Sequence, residues 1–346
     1  MTSLTWVVGR GGLLGGAVER ALSRTTAVWT PPEQVPWDDH RAAATLLRAT
    51  EGFAAEAGSG TWQLAWCAGA GVTTSTAGEL TVEIRLLQMT LEALARSRLG
   101  PGAVFLASSA GGVYAGAPGT PPFTEHTPPV PLSPYGAAKL EAERLVVTWG
   151  RRTGVPVVVG RIANLYGPGQ SLLKPQGLIS RFCLAHLTGQ PLSIYVPLDT
   201  VRDHLYVDDC AALVAQTLRA AHRLPAGTSV TKILASHRAL TIGALLGEMR
   251  RLLRRPPRIV FGASAAARFQ ALDLRLQSVM WPELDRRTLT PLPVGISKTM
   301  EDLRAALRMG SLWPPVHASA DLQRSRSSRV SLVPVGSASL RFRGGP

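Results

Sequence analysis

Residues 5–15 read TWVVGRGGLLG, and this stretch decides the fold that we expect for the chain. A short run of β-forming residues leads into three spaced glycines, and a helical pattern of apolar residues follows over 16–23. In such a turn Gly9 permits the tight bend, Gly12 lets the backbone approach a pyrophosphate, and Gly15 lets the helix pack against the strand. The phosphates would lie on free N–H groups at the helix N-terminus. The stretch predicts a dinucleotide-binding turn, although an ordinary glycine-rich turn could show the same three glycines.

Strand and helix patterns continue to alternate as far as residue 160, and beyond it further helical patterns follow. The predicted strands are 27–30, 64–67, 103–107 and 155–160, and the predicted helices are 41–57, 79–98, 133–150, 178–187, 207–221 and 240–253. Alternation of this kind is typical of a parallel, doubly wound sheet. We therefore expect an α/β protein, with a Rossmann-type doubly wound parallel sheet and a smaller C-terminal α/β substrate lobe.

A chain of 346 residues is long enough for two units. We expect residues 1–164 to form the dinucleotide-binding Rossmann domain, to which part of 200–240 returns. Residues 165–314 would form mainly the substrate-binding lobe. The segment 315–346 is rich in Ser, Arg, Gly and Pro and is expected to be a disordered basic tail.

The composition excludes several classes of protein. Hydrophobic residues make up 45% and charged residues 17%, which excludes a disordered or fibrous chain, and no apolar run reaches the ~18 residues of a membrane span. The three cysteines are far apart, which excludes a disulfide framework and predicts a reducing, cytoplasmic location. No signal peptide is expected, because Arg10 interrupts the first apolar run.

The formal net charge of +14 raises nucleic acid or an anionic membrane as a partner. Only four of the 37 cationic residues are lysines, so an arginine-rich, GC-rich coding bias could also produce this charge. Much of the excess lies in residues 250–258, which hold five arginines and no acid, and in the tail. We therefore expect no specific nucleic acid partner and no membrane partner. A nucleic-acid binder remains an alternative, and it predicts that deletion of 315–346 abolishes most binding.

A second motif could carry acid–base chemistry. Tyr135 and Lys139 form Y-x-x-x-K at the start of a predicted helix, and this spacing places both side chains on one face. A nearby ammonium stabilises a phenolate, which suits Tyr135 to general acid–base catalysis. Ser109, at the end of a predicted strand, could polarise the same substrate oxygen, although strand-end serines also cap turns. In isolation, Y-x-x-x-K is common by chance in helices.

Five ordered motifs together resemble a known family. They are the glycines at 9, 12 and 15, SSAGGVY at 108–114, SPYGAAK at 133–139, RIANLYGPG at 161–169 and RDHLYVDD at 202–209. The series is similar to the extended short-chain dehydrogenase/reductases, and specifically to the NAD-dependent epimerase/dehydratase family typified by UDP-glucose 4-epimerase. The resemblance covers roughly residues 5 to 310.

The resemblance implies a role for each matching residue. Tyr135 would be the catalytic acid/base, with Lys139 as its partner and ribose ligand, and Ser109 would be the third catalytic residue and a substrate contact. Asn164 would contact the substrate phosphate or sugar, and Arg202 would grip a nucleotide diphosphate through bidentate bonds. A surface pair of adjacent charges is the alternative at Arg202. The implied cofactor contacts are Gly9, Arg10, Gly12, Leu13, Leu14, Gly15, Asp38, Ala68, Gly69, Tyr135, Lys139 and Arg161.

The chain also departs from the family pattern. The family places its catalytic Ser or Thr where this chain has Ala110, so we expect either that a local bulge brings Ser109 into place or that the hydroxyl is absent. Gly111 and Gly112 stand where the 4,6-dehydratases have an Asp-Glu pair and where sugar-nucleotide decarboxylases keep a Glu. Both reactions are therefore disfavoured, because they need that separate acid. Glu83 stands where the family usually has Asn.

The identity of the cofactor stays open between two forms. NAD binders place an Asp or Glu at the end of the second strand for the ribose 2′-hydroxyl, and Thr30 with its neighbours offers none. Arg10 or Arg24 could meet a 2′-phosphate, whereas Asp38 could approach the adenine. The resemblance favours NAD, with NADP as the alternative.

The expected function is that of an NAD(P)-dependent sugar-nucleotide epimerase-type oxidoreductase. An NAD(P)H-dependent keto-sugar reductase and a non-catalytic dinucleotide-binding protein of the same fold are the alternatives. No metal site is expected. The resemblance also implies a homodimer built from helices 79–98 and 135–150, and Leu80, Ile84, Leu87 and Leu91 give the first of these helices an apolar stripe.

Overall fold

The computed structural model describes residues 3–37, 40–69, 71, 75–172, 177–253, 255–262 and 269–310. The predictions for Asp38 and for the tail 315–346 lie outside the described residues. Residues Met1–Arg304 form one compact unit, and Ala305–Pro346 form a second one that is described only as far as Gly310. The finer division at residue 164 stays a prediction.

The elements agree closely with the sequence pattern in the first half of the chain. The strands are β1 (Leu4–Val8), β2 (Ala27–Trp29), β3 (Trp62–Trp66), β4 (Gly102–Ser109), β5 (Val157–Ile162), β6 (Asn164–Tyr166), β7 (Leu192–Ile194), β8 (Val201–Arg202), β9 (His204–Tyr206), β10 (Ser229–Leu234), β11 (Leu240–Thr241), β12 (Ile259–Phe261) and β13 (Asp273–Leu274). The helices are α1 (Leu13–Leu22), α2 (Ala42–Ala57), α3 (Ala77–Arg96), α4 (Ala110–Val113), α5 (Pro134–Thr153), α6 (Leu178–Thr188), α7 (Val207–Ala221), α8 (Ile242–Leu252), α9 (Pro282–Asp285) and α10 (Leu292–Arg308).

A six-stranded parallel sheet in the order β10-β5-β4-β3-β1-β2 forms the centre of the protein. Strands β3 and β5 are buried along their whole length, as expected for strands covered by helices on both faces. Helices α1 and α7 contribute to the core on one face, and α2, α3 and α5 contribute to the core on the other. The predicted fold class, a Rossmann-type doubly wound sheet, is confirmed.

Two features of the topology position the site. The strand order changes direction between β1 and β3, and ligands of doubly wound sheets bind beyond the carboxyl ends of the strands at such a point. Strand β10 pairs with β5 from Ser229 opposite Val157, so chain from beyond residue 200 completes the sheet. Small sheets with the strand orders β6-β9, β12-β7 and β11-β8-β13 lie outside the six-stranded sheet. Among the described helices, none is long and apolar enough to cross a membrane.

The apolar stripe of α3 packs inside the chain, which corrects its interpretation as a surface for a second copy. Leu80, Leu87 and Leu91 are buried, and Leu87 and Leu91 belong to the core beneath α3 and α5. Ile84 is half-buried. A stripe that a helix lays on its own sheet is satisfied there and is no evidence for an oligomer. The homodimer stays a prediction without this support.

Candidate active site

The glycine turn is held tightly between β1 and β3. Gly9 follows β1 with φ of +89°, and a Cβ at this position would lie 2.6 Å from the backbone nitrogen of Ala68. A Cβ on Gly15 would overlap the carbonyl oxygen of Gly9. Only glycine fits these two positions, so the first turn of α1 lies directly against the end of β1.

The remaining glycines of the turn leave room for a ligand. A Cβ on Gly11 would meet no atom within 4 Å, and the nearest atom to a Cβ on Gly12 would be the Gly9 carbonyl oxygen at 3.4 Å. Gly12 is the N-cap of α1 and offers no capping side chain, and the first turn carries no acidic residue. The N-terminus of this ten-residue helix therefore suits a diphosphate, with Leu13 and Leu14 in its first turn. The residues present fit a dinucleotide.

Ser109 and Tyr135 converge on Gly112. The Ser109 Oγ would lie 3.3 Å from a Cβ on Gly112, and the Tyr135 Cε1 would lie 3.1 Å from it. Ser109 ends β4 and caps the short helix α4 by accepting a hydrogen bond from the Gly112 N–H at 3.1 Å. Ala110, the next residue, is fully buried. Ser109 thus lies beside the Tyr135 ring, and its catalytic role stays a prediction.

Helix α5 presents Tyr135 and Lys139 towards the end of β3. Ser133 caps this helix by accepting from the Gly136 N–H, and Pro134 fits its first turn because it has no N–H to leave unpaired. The Lys139 Nζ lies 5.6 Å from the centre of the Tyr135 ring. It also lies 3.0 Å from the position of a Cβ on Gly69. Lys139 and Gly69, both predicted cofactor contacts, are thus neighbours, and Gly69 follows the Ala68 that touches the glycine turn.

Glu83 is a residue whose contact the sequence did not reveal. Its Oε1 accepts a hydrogen bond from the Gly71 N–H at 2.6 Å, and its Oε2 lies 3.4 Å from the position of a Cβ on Gly71. Tyr135 Cδ2 lies at the same distance from that position. Glu83 therefore ties the segment after β3 to α3, beside Tyr135. The only sequence signal was an acid where the family usually has Asn.

Arg161 belongs to a buried ion-pair network behind the site. Its Nη2 donates to Glu143 at 2.8 Å, and its Nη1 donates to the Tyr114 hydroxyl at 2.7 Å. Glu143 also accepts from the Ser108 hydroxyl at 2.5 Å. Burial lowers the pKa of Arg161, but the bonds and charges of Glu143 and Tyr114 outweigh it, so that this pKa ends above its ordinary value. The guanidinium is thus occupied within the protein, and its predicted contact with the cofactor stays a prediction.

The two predicted substrate contacts lie on strands of two different small sheets, because β6 pairs with β9 and β8 pairs with β11 and β13. Asn164 is exposed on β6, and its N–H donates to the Asp203 carbonyl at 3.1 Å. Arg202, on β8, is 7% exposed and donates to the Val201 carbonyl at 2.8 Å and to Gln270 at 3.2 Å. Within the described ranges, no carboxylate lies within salt-bridge distance of this guanidinium. Burial lowers the pKa of Arg202 to about 10, against the opposing charge of Asp273.

The family model described as "NAD dependent epimerase/dehydratase family" matches residues 6–231. The chain belongs to the NAD-dependent epimerase/dehydratase family. The match contains all five motifs quoted above, so the predicted resemblance is confirmed.

Individual relatives share either a stretch of sequence or the fold. The dTDP-glucose 4,6-dehydratase of Salmonella typhimurium is 44% identical over 91 residues, which are 26% of this chain and 24% of the dehydratase. The chain therefore matches about a quarter of the length of this curated relative.

Two solved structures of the family's fold cover most of the chain. UDP-glucose 4-epimerase from Thermus thermophilus, in complex with NAD, has a TM-score of 0.71 and 22% identity, covering 88% of this chain and 100% of that one. RMD from Pseudomonas aeruginosa, complexed with NADPH, has a TM-score of 0.70 and 20% identity, covering 88% and 99%. At these identities the likeness shows a common fold.

Proposed function

We propose that this protein is an NAD(P)-dependent oxidoreductase of the sugar-nucleotide epimerase type, acting at a carbon that carries a hydroxyl or keto group. The observation that supports this most directly is the convergence of Ser109, Tyr135 and Lys139 next to the glycine turn. Solved structures with this fold are complexes with NAD, UDP-sugars or NADPH. The family and these neighbours are enzymes, which weighs against a non-catalytic dinucleotide-binding role.

Each of the three side chains has a role in this proposal. Tyr135, as a phenolate, takes the proton of the reacting hydroxyl and returns it when the hydroxyl is restored. The Lys139 ammonium, 5.6 Å from the ring centre, stabilises that phenolate. Ser109 donates a hydrogen bond to the same substrate oxygen. A bound nicotinamide supplies the acceptor and donor of hydride, and the diphosphate of its dinucleotide is held by the glycine turn at Gly12.

Arg202 and Asn164 are proposed to hold the nucleotide part of the substrate. A buried guanidinium whose described partners are neutral oxygens is electrostatically incomplete, and a diphosphate would supply the missing charge. The lowered pKa of Arg202 has the same cause, since burial disfavours a cation that lacks a close counter-ion.

The 4,6-dehydratase and decarboxylase reactions are disfavoured in this proposal. Gly111 and Gly112 stand where those enzymes need an acid, and neither residue has a side chain to supply one. Glu83 is a carboxylate that lies with Tyr135 beside Gly71, and it accepts a hydrogen bond from the Gly71 N–H. The sequence match to a dehydratase covers only part of that enzyme and does not decide the reaction.

A keto-sugar reductase is the second candidate, because the same three side chains can act in one direction only. The absence of a carboxylate directly after β2 favours it, since such a site would accept NADPH. The two candidates differ in cofactor balance. With UDP- and dTDP-sugars, an epimerase converts the sugar with no net change in absorbance at 340 nm, whereas a reductase consumes NAD(P)H in proportion to product.

The test of the acid–base role is Tyr135→Phe. We expect kcat to fall by roughly 10²- to 10⁴-fold, because the hydroxyl that moves the proton is lost. Tyr195→Phe is the matched control, since Tyr195 is half-exposed at the end of β7 and should leave kcat within about twofold. Sugar conversion is followed by NMR. A loss of less than about tenfold at Tyr135 would exclude it as the acid/base.

A further inference from the structure

The end of β2 has the features of a phosphate site rather than a hydroxyl site. A carboxylate at this strand end binds the ribose 2′-hydroxyl of NAD, whereas an arginine nearby accommodates the 2′-phosphate of NADP. Strand β2 ends at Trp29 and is followed by Thr30, Pro31 and Pro32. The first acidic residue after the strand, Glu33, bonds to Arg48 at 2.7 Å and is 59% exposed.

Arg10 reaches from the glycine turn to this strand end. Its Nη1 donates to the Thr30 hydroxyl at 3.0 Å, and its Nε lies 3.1 Å from a carboxylate oxygen of Glu19 on α1. The two bonds hold the guanidinium across the gap between the turn after β1 and the end of β2. Within the part of the chain that the structure describes, no partner is found for its Nη2. The side chain is 45% exposed, so a ligand can reach it.

The hydrogen-bond donors at the end of β2 favour a phosphate as their ligand. A guanidinium fork binds phosphate through parallel N–H···O bonds, and Thr30 adds a hydroxyl beside it. Glu19 offsets part of the positive charge, but it also fixes the orientation of the fork by binding Nε. Nη2 and the second N–H of Nη1 therefore stay available for a ligand at the strand end, beside the Thr30 hydroxyl.

We propose that Arg10 and Thr30 form a 2′-phosphate subsite and that this chain binds NADP(H) in preference to NAD(H). The inference rests on the proposed function, because it assumes that the glycine turn binds a nicotinamide dinucleotide. It reverses the preference that the family resemblance suggested. The subsite recognises the phosphate on the adenosine ribose, so 2′,5′-ADP is a sufficient probe of it.

The test measures binding and needs no turnover. Titration calorimetry of the full chain with NADPH, NADH, 2′,5′-ADP and 5′-AMP should give NADPH and 2′,5′-ADP at least roughly tenfold lower Kd than their unphosphorylated counterparts. Arg10→Gln should raise the Kd of NADPH by roughly 10- to 100-fold and that of NADH by less than about threefold. Arg20→Gln is the matched control, because Arg20 is an exposed arginine of α1 that pairs with Asp208.

Three results would overturn the inference. One is tighter binding of NADH than of NADPH by the wild-type chain. Another is an equal loss of both ligands in Arg10→Gln, which would place Arg10 at the pyrophosphate. The third is an unchanged preference in Thr30→Asp, where a carboxylate at the strand end should favour NADH. If neither dinucleotide binds, the proposed function itself fails, so the two failures are distinguishable.

Discussion

Replacing Glu143 by glutamine should destabilise the protein far more than the same change at Glu141, two residues away on the same helix. Glu143 is 6% exposed, and its oxygens accept from Arg161 Nη2 at 2.8 Å, from Arg161 Nε at 3.2 Å and from the Ser108 hydroxyl. Glu141 bonds to Arg144 at 3.4 Å, and both side chains are more than half exposed. The substitution and the number of ion pairs are matched, whereas the two carboxylates differ in burial and in the additional hydrogen bonds that Glu143 accepts.

The size of the loss in stability follows from the Arg161 charge, which stays buried without its counter-ion. In Glu143→Gln the Arg161 cation remains buried, and its neighbour now presents an amide with half the acceptor capacity and no charge. Breaking a buried ion pair in this way costs about 3–5 kcal/mol, whereas losing an exposed pair costs less than about 1 kcal/mol. At roughly 2 °C per kcal/mol for a chain of this size, the Tm should fall by roughly 6–10 °C.

Urea unfolding at pH 7, followed by far-UV circular dichroism, measures the free energy of unfolding of Glu143→Gln and of Glu141→Gln against the wild type. A double variant, Glu143→Leu with Arg161→Met, tests the cause, because removing both charges should recover more than half of the loss. If Glu143→Gln lies within about 1 kcal/mol of Glu141→Gln, the pair is not held in a low-dielectric interior and the reasoning is refuted.

Two further outcomes are expected from the geometry. Gly15→Ala should weaken NADPH binding at least roughly tenfold and lower the Tm, because the new Cβ would overlap the Gly9 carbonyl oxygen. Gly11→Ala is the control and should change neither the Kd nor the Tm, because its Cβ would meet no atom within 4 Å. Equal effects of the two variants in calorimetry and thermal melts would contradict the prediction. Burial and the charge of Arg202 lower the pKa of His204 to about 4, below its value of 6.5 in the unfolded chain. As the pH falls, the unfolded chain therefore takes up this proton before the folded chain does. The free energy of unfolding consequently decreases as the pH drops from 6.5 towards 4. Between pH 7 and 5 the wild type should lose on the order of 1–2 kcal/mol more than His204→Phe in urea unfolding, and parallel pH profiles would show that His204 does not cause the loss.

The local pattern of the chain was sufficient for the architecture. Apolar period and glycine spacing placed the strands and helices of the Rossmann sheet, and the helix predicted at 207–221 is α7, Val207–Ala221. These features depend on neighbouring residues and on burial of one helix face or of both strand faces, which the sequence displays directly. The family followed from five motifs in order, none of which was decisive alone.

What the tertiary structure decided were relations between distant residues. An apolar stripe shows that a helix face is covered but not by what, so α3 could be read as a dimer surface although its leucines lie on their own sheet. The position of Ser109 beside the Tyr135 ring depends on where β4 ends and α4 begins, which no periodicity specifies to within one residue. The pairing of Arg161 with Glu143 and the reach of Arg10 to Thr30 depend on how strands and helices from different parts of the chain are packed. Such contacts are set by the three-dimensional arrangement, because side chains far apart in sequence carry no local signal of each other.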